Sequence, residues 1–597
     1  MLDTTKYFPK LLLALNEEEK EEKSRYSLEN GQSLKELKRL GLAMHPIKIN
    51  RKSFGFADYP EVSFHYPFPF DGNGFRGSSP IELFCQGEES IKGVLLQFEG
   101  KKGEIRLFAP DFPDWLEDGD AGIKLAPDIR TISIMRKALE MAKELGAEYI
   151  KPKETSEPIF IASWFNENLN AGQKEAVKNM LLNPEVALVH GPPGTGKTTT
   201  LIEAIRQWTA KGKRVLVSAP SNAAVDHLAS CLPEEIDALR IGNSVKVRDE
   251  LMPLTPEGKW SGSSELKTLK KLKIRSEQLR KMALQYKRNF GKAEREQRSL
   301  LFKEVNNIRK DIKTLKRDTE LVWHEKAQVI VGTPVAIVDQ TYDYNSFDVL
   351  IIDEAAQCLE PLAWALFPFA NKIVLAGDPY QLPPTILSDE ASKLGLNIST
   401  LERFLPAGFP IYFLPLQYRM PKNIADFSSR YFYENRLESF KEKQENAILF
   451  YDTAGAGYEE QRGDEGISLK NDGEAEAVLK IIEQEKIPVH KITVISPYSG
   501  QVARLKEVLD KSISCSTIDS YQGQEKEVII ISLVRSNLDQ NIGFLSDYRR
   551  MNVAMTRAQE RLIIIGDSAT LGNDPFYSSF LDYVEKENAY RSVWELL

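Results

Sequence analysis

Apolar residues recur along the chain with two different spacings, and each change of spacing marks a new region. In the first 42 residues leucines recur three to four positions apart around the acidic stretch EEEKEEK, which predicts helices. Between about 46 and 125 short β-forming segments, separated by Gly, Pro and Asp, replace that pattern. Helical spacing returns over 129–147. The pattern therefore predicts a small all-β unit, of barrel type, between helical segments.

From about residue 160 the pattern becomes α/β. The first series of short apolar segments is VALVH (186–190), RVLVSAP (214–220), VIVGTP (329–334), VLIIDE (349–354) and KIVLAGD (372–378). The second, beginning near residue 430, is AILFYD (447–452), KITVISP (491–497), SCSTID (514–519), VIIISLV (528–534) and RLIIIGD (561–567). Apolar strands that end in small or polar residues are typical of parallel sheets, which carry ligand-binding loops at their carboxyl edge. The predicted fold class is α/β with two such sheets.

A helical, strongly basic segment at about 255–325 interrupts the first series. Between residues 265 and 317, eighteen Lys and Arg stand against six Asp and Glu, a net charge of +12. The whole chain has a net charge of −8, so the remainder carries −20. Such a local excess of positive charge favours a nucleic-acid partner. The alternative is a solvated surface hairpin whose lysines only aid solubility.

Length and composition indicate a globular protein of several domains. A chain of 597 residues is too long for one hydrophobic core, and 42% hydrophobic with 27% charged residues is ordinary for globular domains. The longest apolar runs are far shorter than a membrane span, and the start lacks a signal-peptide layout. We therefore expect a cytoplasmic protein without membrane contact. Because the four cysteines and six histidines are scattered, neither a disulfide framework nor a Cys/His metal site is expected.

The segment GPPGTGKTTT fits the pattern G-x-x-x-x-G-K-[ST], whose backbone cradles nucleotide phosphates. It follows a predicted strand and opens a helix, whose N-terminus attracts anions. We expect Lys197 to reach the β- and γ-phosphates and Thr198 to bind Mg²⁺. The nucleotide-binding residues predicted here are Gly191, Pro192, Pro193, Gly194, Thr195, Gly196, Lys197, Thr198 and Thr199.

The segment VLIIDEAAQ provides the other half of a hydrolytic site. Asp353 emerges at the end of a buried strand, where its carboxylate can hold the Mg²⁺ shell together with Thr198. Glu354 follows, and a carboxylate there can orient and activate the attacking water. The sequence therefore predicts hydrolysis of a nucleoside triphosphate with Mg²⁺.

Five more segments carry candidate residues. They are LNAGQKEAV with Gln173, GDPYQLPP with Gln381, LQYRMP with Tyr418 and Arg419, SYQGQEKE with Glu525, and RRMNVAMTRAQE with Arg550 and Arg557. Gln381 follows a predicted strand, at a position suited to sensing a γ-phosphate. Arginines from distant segments suit an arrangement in which charge developing on the γ-phosphate is met from across a cleft.

These motifs, with SAPSNAAVD at 218–226, resemble the full set of superfamily 1 helicases. They are most similar to the 5′-to-3′ group that includes the nonsense-mediated-decay helicase, senataxin and the immunoglobulin-mu-binding helicase. The resemblance is strong over about 165–570 and implies two RecA-like P-loop domains, an N-terminal stalked β-barrel and a helical insertion. The domains it implies are stalk helices at 1–45, a β-barrel at 46–126, a returning stalk helix at 127–150, a first RecA-like domain at 151–425 with the insertion at about 255–325, and a second RecA-like domain at 426–597.

The resemblance also implies residue roles. Gln173 reads the adenine, Tyr418 stacks on it and Glu525 contacts the ribose. The side chains implied to surround the γ-phosphate are Gln381, Arg419 and Arg557. The residues implied to touch the nucleic-acid backbone are Pro220, Ser221, Asn222, Thr333 and Thr517. Hydroxyls and amides at strand ends can hold phosphates without reading bases, although the same residues can simply cap the elements around them.

The resulting hypothesis is an ATP-dependent 5′-to-3′ helicase that acts as a monomer on single-stranded DNA or RNA. An alternative is a nucleic-acid-stimulated ATPase clamp or ribonucleoprotein remodeller that unwinds little. A third is an ATPase that acts on protein partners. The choice between DNA and RNA stays open, because no residue reveals a contact to the 2′-hydroxyl.

Overall fold

The structure is a computed structural model. It describes residues 4–26, 33–55, 59–68, 75, 77, 79–109, 111–117, 120–149, 161, 163–182, 185–243, 247–285, 291–340, 347–463 and 468–596. The mixed α/β class predicted from the sequence is confirmed. Of the helices among these residues, none has the length and apolar content that a membrane crossing requires.

The N-terminal region is a β-rich unit between helices. Its elements are α1 (Thr4–Tyr26), α2 (Leu34–Arg39), β1 (Ala43–Met44), β2 (Lys48–Phe54), β3 (Pro60–His65), β4 (Pro80–Cys85), β5 (Ile91–Glu99), β6 (Lys102–Leu107), β7 (Ala121–Leu125) and α3 (Ile129–Tyr149). The sheet is antiparallel, in the order β1-β7-β4-β5-β6-β3-β2, around one apolar cluster that includes Phe64, Leu95 and Ile123. Because β1 and β2 are its edges, the described strands form a half-barrel rather than a closed barrel.

The first α/β unit contains a seven-stranded parallel sheet. Its elements are α4 (Ala171–Leu182), β8 (Val186–His190), α5 (Lys197–Ala210), β9 (Val215–Ser218), α6 (Asn222–Cys231), β10 (Ala238–Arg240), α7 (Pro256–Ser261), α8 (Leu266–Leu284), α9 (Lys292–Lys326), β11 (Val329–Gly332), α10 (Pro334–Gln340), β12 (Phe347–Ile352), α11 (Glu360–Leu366), β13 (Ala370–Gly377), α12 (Asp389–Lys393), α13 (Thr400–Phe404) and β14 (Ile411–Phe413). The strand order is β10-β11-β9-β12-β13-β8-β14. All five strands predicted for this series are present.

The second α/β unit contains a six-stranded parallel sheet. Its elements are β15 (Leu416–Pro421), α14 (Lys422–Phe432), β16 (Glu438–Lys441), β17 (Ile448–Asp452), β18 (Gln461–Arg462), β19 (Leu469–Lys470), α15 (Asp472–Gln484), β20 (Ile492–Ser496), α16 (Ser499–Val508), β21 (Ser514–Thr517), β22 (Lys526–Ser532), α17 (Tyr548–Met555), β23 (Ala558–Gly566), α18 (Ser568–Leu571), α19 (Pro575–Lys586) and β24 (Tyr590–Ser592). The main sheet has the order β21-β20-β22-β23-β17-β24. Met420 and Ile424 are buried in its core, so we propose that this unit begins near residue 416 rather than 426.

The stalk formed by α1 and α3 packs on the first α/β unit. Phe8, Leu11 and Leu139 are buried in the same apolar cluster as Trp364 of α11. The carboxylate of Glu18 accepts hydrogen bonds from the backbone N–H groups of residues 387 and 388, at 2.8 and 2.9 Å. The stalk and the first sheet therefore share one core.

The basic insertion is an antiparallel pair, α8 and α9, joined by buried Leu269, Ile308 and Ile312. Its inner face docks on the β-rich unit. Arg280 forms an ion pair with Asp111 at 3.0 Å, and the guanidinium of Arg309 lies 4.3 Å from the centre of the Phe54 ring. Part of the positive charge is therefore used to hold the insertion against the half-barrel.

Candidate nucleotide and nucleic-acid site

The predicted phosphate loop joins the end of β8 to the start of α5. Gly194 and Gly196 have φ values of 74° and 73°, in the left-handed region that favours glycine. A Cβ on Gly194 would lie 2.7 Å from Cβ of Arg419, and one on Gly196 would lie 2.5 Å from Nε2 of Gln173. Within the loop the hydroxyl of Thr195 donates to the carbonyl of Pro192 at 2.8 Å. The glycines thus bring the loop backbone close to side chains from two other segments.

Lys197 stands between the two predicted catalytic carboxylates. Its Nζ lies 2.8 Å from Oε1 of Glu354 and 3.6 Å from Oδ1 of Asp353. Burial alone would lower the pKa of Lys197, but the two carboxylates outweigh burial and raise it. Burial raises the pKa of Asp353 despite the nearby ammonium. The two carboxylates thus hold the ammonium group that the sequence analysis assigns to the phosphates.

The site offers a suitable place for Mg²⁺. Asp353 is 4% exposed, at the end of β12, and its Oδ1 accepts from the N–H of Glu354 at 2.9 Å. Thr198 is half-buried in the first turn of α5. A hydroxyl and a buried carboxylate beside a phosphate cradle are the oxygen ligands that nucleotide-bound Mg²⁺ uses. Thr199 is exposed on the same turn.

Two arginines from the second unit reach this site. Arg419 lies against the phosphate loop, where the carbonyl of Gly194 accepts from the N–H of Tyr418 at 2.9 Å. Arg557 is 4% exposed, and its Nη2 donates to Oε1 of Gln381 at 3.1 Å. Burial, with the nearby Arg419 charge, lowers the pKa of Arg557 to about 9. A buried guanidinium whose charged form is disfavoured in this way is set to receive an anion.

Gln381 belongs to a buried hydrogen-bond network that the sequence did not reveal. Its Nε2 donates to Oδ2 of Asp378 at 2.8 Å, and the same oxygen accepts from the Tyr433 hydroxyl at 2.7 Å. Nδ2 of Asn552 donates to the Tyr433 oxygen at 2.9 Å, while Nε2 of His190 lies 3.1 Å from Oδ1 of Asp378. Burial would raise the pKa of Asp378, but these hydrogen bonds outweigh it and hold the pKa low. The network links the strand before the phosphate loop to Gln381 and Arg557, two of the three side chains expected around the γ-phosphate.

Gln173 and Tyr418, two of the residues expected around the nucleoside, lie beside the phosphate loop. Both ends of the Gln173 side-chain amide form hydrogen bonds within the protein. Its Oε1 accepts from the N–H of Asn170, and its Nε2 donates to the carbonyl of Thr195, both at 3.1 Å. Nδ2 of Asn170 also donates to the Tyr418 hydroxyl at 2.8 Å. The Tyr418 ring is 5.2 Å from that of Phe440, which is 66% exposed. Asn170 belongs to the segment LNAGQKEAV but was not singled out in it, and Phe440 lies outside the motifs found in the sequence.

Glu525, expected at the ribose, is paired with an arginine of the site. Its Oε2 lies 2.5 Å from Nε of Arg419, and its Oε1 accepts from Gln559 at 2.7 Å. Burial would raise the pKa of Glu525, but the Arg419 guanidinium outweighs it and lowers the pKa. The carboxylate is therefore ionised and positions Arg419 beside the phosphate loop.

The expected nucleic-acid contacts lie at carboxyl edges of the two sheets. Pro220, Ser221 and Asn222 follow β9, and Thr333 follows β11, its neighbour in the sheet. The Ser221 hydroxyl accepts from the N–H of Ala224, capping α6 at 3.2 Å. A hydroxyl that accepts in this way keeps its own hydrogen for a second partner, so capping and phosphate contact are compatible.

In the second unit Thr517 ends β21, and its hydroxyl lies 2.9 Å from that of Ser520. Arg550, which belongs to the same sequence segment as Arg557, does not share its partners. Its guanidinium instead pairs with Asp519 at 3.3 Å and with Asp547 at 2.8 Å. Arg550 is thus tied to Asp519, two residues beyond Thr517.

The chain is similar to known proteins over most of its length. Two family models, each described as an AAA domain, match residues 168–389 and 396–569. Over 83% of its length the chain is 30% identical to an uncharacterized ATP-dependent helicase of Methanocaldococcus jannaschii, of which it covers 84%. The chain belongs to the superfamily 1 helicase family. The membership expected from the motifs is thereby confirmed.

Two further relatives are longer than the part that this chain matches. DNA polymerase alpha-associated DNA helicase A of Saccharomyces cerevisiae is 31% identical over 77% of this chain and 75% of its own length. DNA-binding protein SMUBP-2 of Rattus norvegicus is 29% identical over 97% of this chain. The chain spans 63% of the length of that relative.

Proposed function

We propose that the chain is an ATP-dependent helicase or translocase that moves 5′ to 3′ along single-stranded DNA or RNA. The observation that carries the proposal is the meeting of both α/β units at one phosphate loop. Lys197, Asp353 and Glu354 come from the first unit, whereas Arg419 and Arg557 come from the second. A nucleotide in this cleft would touch both units, so its binding and hydrolysis can change their separation.

The chain's own groups account for hydrolysis. The β- and γ-phosphates draw Lys197 away from the carboxylates, which leaves Glu354 to orient water against the γ-phosphate. Gln381, Arg419 and Arg557 meet the negative charge that develops there. Thr198 and Asp353 would hold Mg²⁺, which neutralises phosphate charge. Tyr418 provides a stacking surface for the base, with Gln173 beside it and Glu525 near the ribose.

Closure on ATP binding and opening on hydrolysis would move a strand across the carboxyl edges of the sheets. The backbone contacts proposed for it are Pro220, Ser221, Asn222, Thr333 and Thr517. Names of relatives support both polymers: SMUBP-2 is a DNA-binding protein, and an Arabidopsis thaliana relative is a regulator of nonsense transcripts. The monomeric state and the cytoplasmic location stay predictions of the sequence.

The first test is ATP hydrolysis by the purified protein, alone and with single-stranded DNA or RNA. We expect one polymer or both to stimulate turnover, and Lys197→Ala to abolish it with the thermal unfolding midpoint retained. Lys211→Ala, at an exposed lysine following the same helix, is the matched control. Strand-stimulated turnover that survives in Lys197→Ala would contradict the proposal.

Duplex substrates with single-stranded tails separate a helicase from a clamp. A 5′-to-3′ motor unwinds the duplex with a 5′ tail and leaves the duplex with a 3′ tail intact. Stimulated ATPase without unwinding of either substrate would favour the clamp or remodeller. ATPase activity indifferent to nucleic acid would favour an action on protein partners.

We also propose that the outer face of the insertion attracts the strand. Lys267, Lys270 and Lys271 are exposed on α8. Their replacement by glutamine is expected to weaken binding and to lower the slope of log affinity against log salt by about 0.7 per lost phosphate contact. Lys10→Gln, on the exposed face of α1, is the control. An unchanged slope would leave this face with only a solvating role.

A further inference from the structure

A strained loop follows β22 in the second unit, and we call residues 534–547 the edge loop. It begins at Val534, whose φ of 73° is rare for a β-branched residue. The N–H of Val534 donates to both oxygens of buried Glu474, at 3.0 and 2.9 Å, and its carbonyl accepts from Asn471 at 3.1 Å. Backbone strain that surrounding groups enforce is concentrated at functional sites.

Further hydrogen bonds fix the rest of the edge loop. The N–H of Ser536 donates to Glu460 at 3.0 Å, and Nδ2 of Asn537 donates to the carbonyl of Asn541 at 3.0 Å. Arg535 also donates to the Asn541 carbonyl and lies 3.2 Å from the Glu460 carboxylate. These contacts fix the backbone of the edge loop, so binding there would cost little conformational entropy.

This ordered loop exposes large apolar side chains. Leu538 is fully exposed, and Phe544 is 66% exposed. The Phe544 ring rests with one side near Tyr498, at a centroid distance of 5.7 Å and an interplanar angle of 47°. Tyr498 is itself 3% exposed, so the side of Phe544 that faces away from solvent packs on a buried ring. The loop thus presents an aromatic face to solvent on a rigid base.

Phe544 lies on the sheet edge that carries Thr517. Ser496, at the end of β20, is the register partner of Thr517 on β21, and Tyr498 comes two residues after Ser496. At the far end of the edge loop Asp547 binds Arg550, which also binds Asp519 just beyond Thr517. The exposed ring and the proposed phosphate contact therefore occupy one continuous surface.

We infer that Phe544 is a platform on which a base of the bound single strand stacks, with Leu538 as a second apolar contact. The inference rests on the proposed function and adds a base contact to a strand path otherwise built from backbone contacts. Stacking suits any base, because each has a π-face, and it makes no use of the 2′-hydroxyl. A base stacked on Phe544 would hold a DNA or an RNA strand in place while the phosphate contacts of the proposed motor break and re-form.

The test compares strands with and without bases. Binding of a fluorescein-labelled oligodeoxythymidine and of an abasic oligomer of the same length is measured by anisotropy for wild type and Phe544→Ala. The substitution is expected to weaken binding of the oligodeoxythymidine about 5- to 100-fold and to leave the abasic affinity unchanged. The salt slope should be the same for both proteins, because no phosphate contact is lost.

Two further variants control for structure. Phe544→Trp keeps an aromatic face and should restore tight binding. Trp594→Ala removes another exposed aromatic ring, 57% exposed and beyond β24 at the opposite edge of the sheet, and should bind as wild type does. Thermal unfolding midpoints of all three variants are measured alongside.

The contrary outcomes are distinct. Equal weakening on both oligomers would mean that Phe544 acts through the fold and not through a base. Unchanged binding of the oligodeoxythymidine, with ATP turnover still stimulated, would overturn the stacking inference alone and leave the ring as a surface for protein partners. A wild-type protein that binds neither oligomer nor single-stranded RNA would overturn the proposed function as well.

Discussion

The Tyr433 hydroxyl is the point at which the network around Asp378 can be cut with the least change of shape. Tyr433→Phe keeps the ring and removes one oxygen. That oxygen donates to the ionised Asp378 at 2.7 Å and accepts from Asn552 at 2.9 Å. A hydrogen bond to a charged group contributes about 1.5–3 kcal/mol and a neutral one about 1 kcal/mol. We therefore expect the substitution to lower the free energy of unfolding by about 3 kcal/mol.

The same substitution should slow ATP hydrolysis. Asp378 holds Nε2 of Gln381, whose Oε1 accepts from Arg557, so a less restrained Asp378 loosens Gln381 and Arg557, two of the three side chains proposed to meet the γ-phosphate. Because these contacts strengthen only as charge develops on the γ-phosphate, kcat should fall while KM for ATP changes little. Removal of a hydrogen bond should also raise the pKa of Asp378 towards its ordinary value, so the loss of activity on acidification should begin at higher pH.

The assay measures steady-state ATP turnover against pH, together with thermal unfolding. Tyr431→Phe is the matched control, because it removes the same hydroxyl two residues away. Tyr431 is 41% exposed, so water can take over the hydrogen bonds that its hydroxyl made. If Tyr433→Phe behaved like Tyr431→Phe in kcat, pH profile and unfolding, the network would have no part in positioning the sensors.

Three further predictions concern other groups. Glu354→Gln should abolish ATP turnover while ATP still binds, which equilibrium binding of a fluorescent ATP analogue would check; turnover within about tenfold of wild type would exclude Glu354 as the group that activates water. Burial raises the pKa of Glu474 to about 8 from 4.5, so the folded state keeps a proton that the unfolded state releases, and stability should fall as pH rises from about 4.5 to 8. Glu474→Gln should remove that fall, seen as a flatter plot of unfolding midpoint against pH, and an equally steep plot would refute the assignment. Arg280→Ala should free the insertion from the half-barrel, because Arg280 pairs with Asp111. Amide hydrogen exchange in α8 should then be faster than in the control Arg275→Ala, since Arg275 pairs with Glu304 instead. Equal exchange in both variants would count against docking by this ion pair.

Local sequence patterns predicted the parts of the molecule that depend on neighbours in the chain. Strands β8 and β12 are buried apolar runs, which the sequence shows directly. The phosphate loop could be predicted because Gly194 and Gly196 adopt a left-handed conformation that few other residues adopt. Lys197 meets Asp353 and Glu354 because the parallel strands β8 and β12, separated by β13, end at the same edge of the sheet. Motif spacing was enough to find these residues.

Contacts between distant segments could not be read in the same way. Tyr433 and Asn552 reach Asp378 through packing of the second unit on the first, and neither residue lies in a pattern that signals burial beside a carboxylate. The strands β14 and β24 have three residues each, too few to show a spacing. The docking of Arg280 on Asp111 was hidden for another reason: net charge reveals that a segment is basic, but not which of its faces meets solvent.

The shared core of the stalk and the first sheet has a mechanical consequence. Phe8, Leu11 and Leu139 are buried with Trp364, so separating them would expose a large apolar area to water. The stalk leads into the half-barrel, and the insertion docks on it through Arg280 and Asp111, so we expect the half-barrel to move with the first sheet. The hinge of the proposed nucleotide-driven motion would then lie between the two sheets. Paired fluorescent labels on the half-barrel and the second sheet should report each ATP cycle as a change in energy transfer. Labels on the half-barrel and the first sheet should stay silent.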